Sequence, residues 1–125
     1  MNTEDRVLDT SETSQLIASN KVEGTKVYSR SGEHLGEVSH FMVDKRTGRV
    51  PYAVMSFGGF LGIGEHHHPL PWEALDYDER QGGYVVDLDK DKLEGAPRYE
   101  PHEDPWVDPM YPRGVSGYWG YPFII

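Results

Sequence analysis

The residues best suited to chemistry stand together at Glu65-His66-His67-His68. Imidazole is a good ligand for zinc, nickel or copper. In an extended strand His66 and His68 would share one face, with His67 on the other. That offers two ligands, and a structural zinc takes four. His34, His40 or Glu65 would have to complete the set. The competing reading is a histidine run leading into an edge strand. On this pattern His66 and His68 are metal candidates, and no metal or other cofactor is assigned.

Three other segments raise the question of a site. Residues 57–64, Phe-Gly-Gly-Phe-Leu-Gly-Ile-Gly, are rich in glycine but lack the Gly-Lys-Ser/Thr of a phosphate loop. Pro69 and Pro71 also argue against a following helix whose N-terminus would hold an anion. An apolar loop that seals the body or meets another chain is the reading these residues favour. Asp87, Asp89 and Asp91 alternate as in a calcium loop. Lys92 stands where that loop needs glycine, and Arg98 where it needs glutamate. Ser56 precedes Phe57 within a strand pattern, which is not a nucleophile elbow. The chain has no cysteine, so a thiol nucleophile is excluded. No catalytic residue is assigned, and the expectation is a protein that is not an enzyme.

Charge narrows the partners. The 21 acidic and 12 basic residues give a formal net charge of −9. A nucleic-acid surface needs a basic stripe to displace counterions, and the main basic cluster is only Lys45-Arg46 with Arg49. The same sign argues against anionic lipid. No run approaches the roughly 20 apolar residues that span a bilayer. The N-terminal residues lack the apolar stretch of a secretory signal. The expected setting is the cytoplasm, with no nucleic acid and no direct membrane insertion.

The elements that must position these residues read as short strands. Residues 25–28 are β-branched and aromatic, and Ser31-Gly32 turns the chain. In residues 33–43 the apolar positions slip out of period two, so a bulge is expected near Gly36 or Ser39. Residues 44–48 form a hairpin loop with Gly48 in a left-handed position. Residues 49–57 form the clearest strand, apolar on both faces and therefore central. Residues 66–72 resume extended structure at an edge, since Pro69 and Pro71 cannot donate to a ladder. Trp72-Glu73-Ala74-Leu75 suits one helical turn, and Gln81-Gly82-Gly83 another hairpin turn before the strand at 84–88. Asp89 would cap a short helix through Leu93, closed by Gly95 and stopped by Pro97.

Composition shifts at Pro97. Six of the nine prolines and seven of the fifteen aromatics lie in residues 97–125. Proline opposes an independent fold, while aromatics demand burial. An extended tail is expected, lying on its own barrel or on a neighbouring chain. Trp106, Tyr111, Tyr118 and Trp119, with Phe60 and Leu61, are the candidate interaction residues.

The order of these pieces resembles the PRC-barrel family over about residues 19–97. The resemblance rests on residues 24–28, then Ser31-Gly32-Glu33 and Leu35-Gly36-Glu37-Val38. It continues through Asp44, Thr47-Gly48-Arg49-Val50, Tyr52-Ala53-Val54, Pro69-Leu70-Pro71-Trp72 with Leu75, and Leu93-Glu94-Gly95-Ala96-Pro97. Short stand-alone bacterial PRC-barrel proteins look most similar, through residues 57–62. The resemblance implies a small six-stranded β-barrel used for protein contact. The family's barrel occurs in the photosynthetic reaction centre H subunit and in ribosome maturation factors. These residues show neither the H subunit's membrane helix nor the maturation factor's RNA-associated domain, so neither of those two roles is expected.

The expected fold is thus all-β: a small closed barrel of five or six short antiparallel strands with a short helical turn. A disordered polar leader (1–18) precedes it, with the cluster at Leu16-Ile17-Ala18 able to pack as a short strand or turn, and a Pro/aromatic-rich extension (98–125) follows. The expected role is a non-enzymatic binding or assembly module that forms homodimers and meets a protein partner the residues do not specify. A metal- or ligand-responsive regulator using His66 and His68 is the alternative.

Overall fold

The strand read most clearly from the sequence sits where both of its faces can be buried. The computed structural model describes residues 12–13, 15–57, 66–88 and 90–123. It holds strands β1 (Lys26–Ser29), β2 (His34–Met42), β3 (Tyr52–Phe57), β4 (His66–Pro71), β5 (Leu75–Asp78) and β6 (Gly83–Val86). Helices are α1 (Ser19–Val22), α2 (Lys90–Glu94) and α3 (Tyr111–Trp119), with single 3-10 turns at Trp72–Ala74 and Pro105–Val107. The sheet order is β4-β3-β2-β1-β6-β5. Tyr52, Ala53, Val54 and Met55 of β3 are all buried, as a central strand requires.

Turn chemistry falls where the residues demand it. Gly32, Gly48 and Gly82 take positive φ of 91°, 80° and 67° in the connections β1–β2, β2–β3 and β5–β6. The Asp44 carboxylate accepts from the Arg46 and Thr47 amides at 2.9 and 3.0 Å, fixing the β2–β3 loop. The bulge expected near Gly36 or Ser39 is present, and β2 is irregular on both of its ladders. Register shifts between Val27 and Tyr28 against β1, and between Val38 and His40 against β3.

The expected closed, wholly antiparallel barrel is corrected in two respects. β1 and β6 run parallel, with Val27 opposite Tyr84 and Ser29 opposite Val86. The β5–β6 hairpin returns to β1 only after the chain has passed through β2, β3 and β4, and it arrives in the same sense as β1. The six-stranded sheet is also not closed by hydrogen bonds, since β4 and β5 are its two ends. Only the turn Trp72–Ala74 joins them, so the sheet curls until the two ends meet at that corner.

Proline chemistry explains why the seam stays open. His67 directs its backbone away from β3, donating to Tyr99 O at 2.8 Å and accepting from Tyr99 N–H at 3.0 Å. Strand alternation puts Pro69 and Pro71 in the same outward-facing phase. Neither has an N–H to offer a closing strand. The Pro69 carbonyl instead accepts from Trp119 Nε1 at 3.3 Å. The C-terminal segment therefore occupies the edge that a barrel would pair.

That segment is the second correction, because it is not simply extended. Pro112 stands in the first turn of α3, where a missing N–H costs nothing. Gly120 ends the helix with φ 80°, and Tyr121 N–H returns to Ser116 O at 3.0 Å. Val115, Ser116 and Trp119 are buried and set the helix on β4. The end of the expected leader is also ordered. Glu12 and Ile17 form an antiparallel bridge, and Thr13 Oγ1 accepts from the Leu16 amide at 2.9 Å. Ile17 packs on the core, which anchors this turn. Asp89, the expected helix cap, lies outside the described residues.

Candidate functional site

The histidine run occupies β4, and each ring meets something different. His66 Nε2 lies 3.0 Å from Glu100 Oε1 of the tail. The His67 ring sits between His40 and Tyr99, with centroids at 5.4 and 5.3 Å. His68 is 2 % exposed, and burial drives its pKa down to about 4, helped by Arg98, His66 and His67. Burial also lowers His40, with His67 adding to the effect. His34, a possible further ligand, instead lies against the Tyr28 ring at 5.8 Å. Among the described residues no three His, Asp or Glu side chains converge as a metal site. Glu65 lies outside the described residues.

The tail aromatics are turned onto their own sheet. Trp106 meets Tyr111, Tyr52 and Tyr99 at centroid distances of 5.1, 5.4 and 6.5 Å, and its Nε1 donates to Tyr99 Oη at 3.1 Å. The Tyr52 hydroxyl donates to Pro112 O at 2.9 Å and lies 2.8 Å from Ser116 Oγ. Its one proton goes to the carbonyl, so Ser116 donates to it. The Tyr111 hydroxyl is buried with no hydrogen-bond partner among the described residues, and burial pushes its pKa up to about 12. Trp119 is buried, whereas Tyr118 stays partly exposed and donates to Lys92 O at 2.6 Å. The Lys92 ammonium stands 5.6 Å from the Trp119 ring and 6.0 Å from that of Tyr118. Phe60 and Leu61 lie outside the described residues.

A concave surface that the sequence reading missed opens on another side. The turn at 12–17 and the β5–β6 hairpin bound a cavity of about 310 Å3. Trp72, Tyr77 and Tyr84 form its aromatic wall, and Glu12 and Glu79 supply carboxylates. Tyr77 and Tyr84 are cross-strand partners with centroids 5.2 Å apart, and Trp72 lies 5.8 Å from Tyr84. Glu12 is held by Lys21 Nζ at 2.9 Å and by the Tyr77 hydroxyl at 3.4 Å. The Tyr77 phenol is raised by burial, with the Glu12 and Glu79 carboxylates adding to the rise. Tyr77 and Tyr84 stand symmetrically about Arg80-Gln81. That spacing marks a ring pair once residues 75–78 are recognised as a strand.

A family model described as PRC-barrel domain matches residues 15–93. This chain belongs to the PRC-barrel domain family. No curated protein matches it. Within this PRC-barrel chain the aromatic wall, Trp72 to Tyr84, lies inside the matched segment. Tyr99, Trp106, Tyr111 and Trp119 lie beyond it, so the segment that covers the β4 edge is an addition to the PRC-barrel unit. The family relation supports a role in protein contact or assembly. No helix among the described residues is long and apolar enough to cross a membrane.

Proposed function

We propose that this chain is a non-enzymatic protein-binding module, cytoplasmic and self-associating, that presents the Trp72–Tyr77–Tyr84 wall to a protein partner. The cavity beside these rings is the observation that carries the reading. Aromatic side chains supply large contact area at low entropic cost and dominate interface energetics. The tail aromatics first considered for this role mostly cover their own sheet, whereas in this wall Tyr77 is 43 % exposed over the buried Tyr84 and is the ring a partner reaches.

The non-enzymatic part rests on the family relation. Self-association is supported by exposed apolar side chains before α3, where Val107 is 78 % and Met110 63 % exposed.

Affinity capture with the full chain, read by mass spectrometry against a Tyr77→Ala variant, tests the binding reading. A defined partner set that the variant loses supports it, and identical sets from both chains remove it. Sedimentation equilibrium tests self-association, and a monomer at roughly 100 μM, far above typical specific dissociation constants, ends that part.

A further inference from the structure

We propose that the cavity between the 12–17 turn and the β5–β6 hairpin is a receptor for an arginine side chain displayed by a partner protein. The inference rests on the binding-module reading and names the chemistry of the contact. Two features of the cavity, its rings and its carboxylates, together select a cation. Its wall is a run of rings, Trp72 to Tyr84 to Tyr77, each inclined steeply to the next at 64° and 68°. The face of an aromatic ring is electronegative and attracts a cation within about 6 Å. Such a wall serves an apolar group too, so the rings alone do not choose.

The carboxylates choose. Glu12 and Glu79 both line the cavity, and both act on the Tyr77 phenol. Lys21 and Tyr77 engage the two oxygens of Glu12 and hold that side chain in place. Glu79 is exposed and has no ion-pair partner among the described residues. An entering neutral apolar group would desolvate carboxylates and gain nothing from them. A cation gains from both the rings and Glu79. The formal net charge of −9 further favours approach of a basic surface.

Size and shape select arginine over lysine. A cavity of about 310 Å3 is at the small end of ligand sites and accommodates one long side chain rather than a folded segment. A guanidinium is planar, stacks on ring faces and meets a carboxylate with two parallel donors. It is also less strongly hydrated than an ammonium, so leaving water costs it less.

An NMR titration of the full-length protein with a capped Gly-Arg-Gly peptide tests this. A capped Gly-citrulline-Gly peptide serves as the uncharged isostere, and tetramethylammonium as a free small cation. The expected result is saturable shifts of the Trp72 indole and of the Tyr77 and Tyr84 rings with the arginine peptide. Citrulline and the Glu79→Gln variant should each bind about tenfold more weakly, as loss of a desolvated charge contact implies. Absence of saturable shifts at these rings overturns the proposal. Equal binding of citrulline overturns the charge argument, and equal binding of tetramethylammonium overturns arginine as the ligand. A partner captured equally by the native chain and by Glu79→Gln, yet lost with Tyr77→Ala, overturns this proposal while the binding-module reading stands. Glu79 lies exposed beside the turn, so its substitution leaves the fold intact.

Discussion

His67 and Tyr99 exchange both of their backbone hydrogen bonds, at 2.8 and 3.0 Å, on the outer side of the sheet's end strand. Their rings also meet edge to face at 5.3 Å and 90°. The pair joins the PRC-barrel segment to the chain beyond it. Removing residues 98–125 should leave the His67 amide and the Pro69 carbonyl facing water and uncover the sheet's apolar surface. The truncated chain should aggregate, and its His67 amide should exchange hydrogen freely. The single change Trp119→Ala should cost about 3–5 kcal/mol in urea unfolding. A truncated chain that stays soluble with His67 protected would show that the edge is covered by something else.

Acid should loosen the protein through His68. Its pKa is about 4 in the fold and near 6.5 when unfolded. Between these values the unfolded chain binds more protons than the native one, so stability rises with pH across that window. The contribution is complete above about pH 6.5 and is lost as pH falls toward 4, amounting to about 3 kcal/mol. The lowered His40 acts with the same sign. Urea midpoints measured along the window should fall with pH, and the slope should flatten in His68→Leu. An unchanged slope in that variant would assign the effect elsewhere.

Two tyrosine hydroxyls should respond oppositely to removal. Tyr52 is bonded to Pro112 O and Ser116, so Tyr52→Phe should destabilise by about 1–2 kcal/mol. The Tyr111 hydroxyl is buried without a partner among the described residues, so Tyr111→Phe should be neutral or stabilising by up to about 1 kcal/mol. Thermal unfolding of the two variants side by side checks the contrast.

Glycines should divide the same way. A methyl at Gly36 would run into the Ser56 carbonyl oxygen, and one at Gly83 into that of Lys26. Either alanine should part neighbouring strands and cost more than about 2 kcal/mol. Gly114, inside α3 with open space around it, should gain roughly 0.5–1 kcal/mol as alanine. Circular dichroism melts distinguish the three.

Much of the sheet was legible because its signals are local. Ser31-Gly32, Gly48 and Gln81-Gly82 each turn the chain within a few residues. Pro69 and Pro71 marked an edge through chemistry that needs no partner. The strand at 75–78 was missed because Asp76 and Asp78 give it an acidic face, and only its pairing with β6 makes it a strand. α3 was missed because Pro112, Gly114 and Gly117 lower its propensity. It forms because Val115, Ser116 and Trp119 find burial against residues far away in sequence. The aromatic cavity was hidden for a similar reason, since Trp72, Tyr77 and Tyr84 come together only when the hairpin closes beneath the 12–17 turn.

The position of the sealing residues sets an order on biosynthesis. Tyr52 reaches Ser116 across 64 residues, and Trp119 reaches Pro69 across 50. A chain emerging from the ribosome N-terminus first completes its strands before the helix that covers them is free to move. During that interval the end strand is uncovered, and a translational pause or an early stop would prolong its exposure to neighbouring nascent chains.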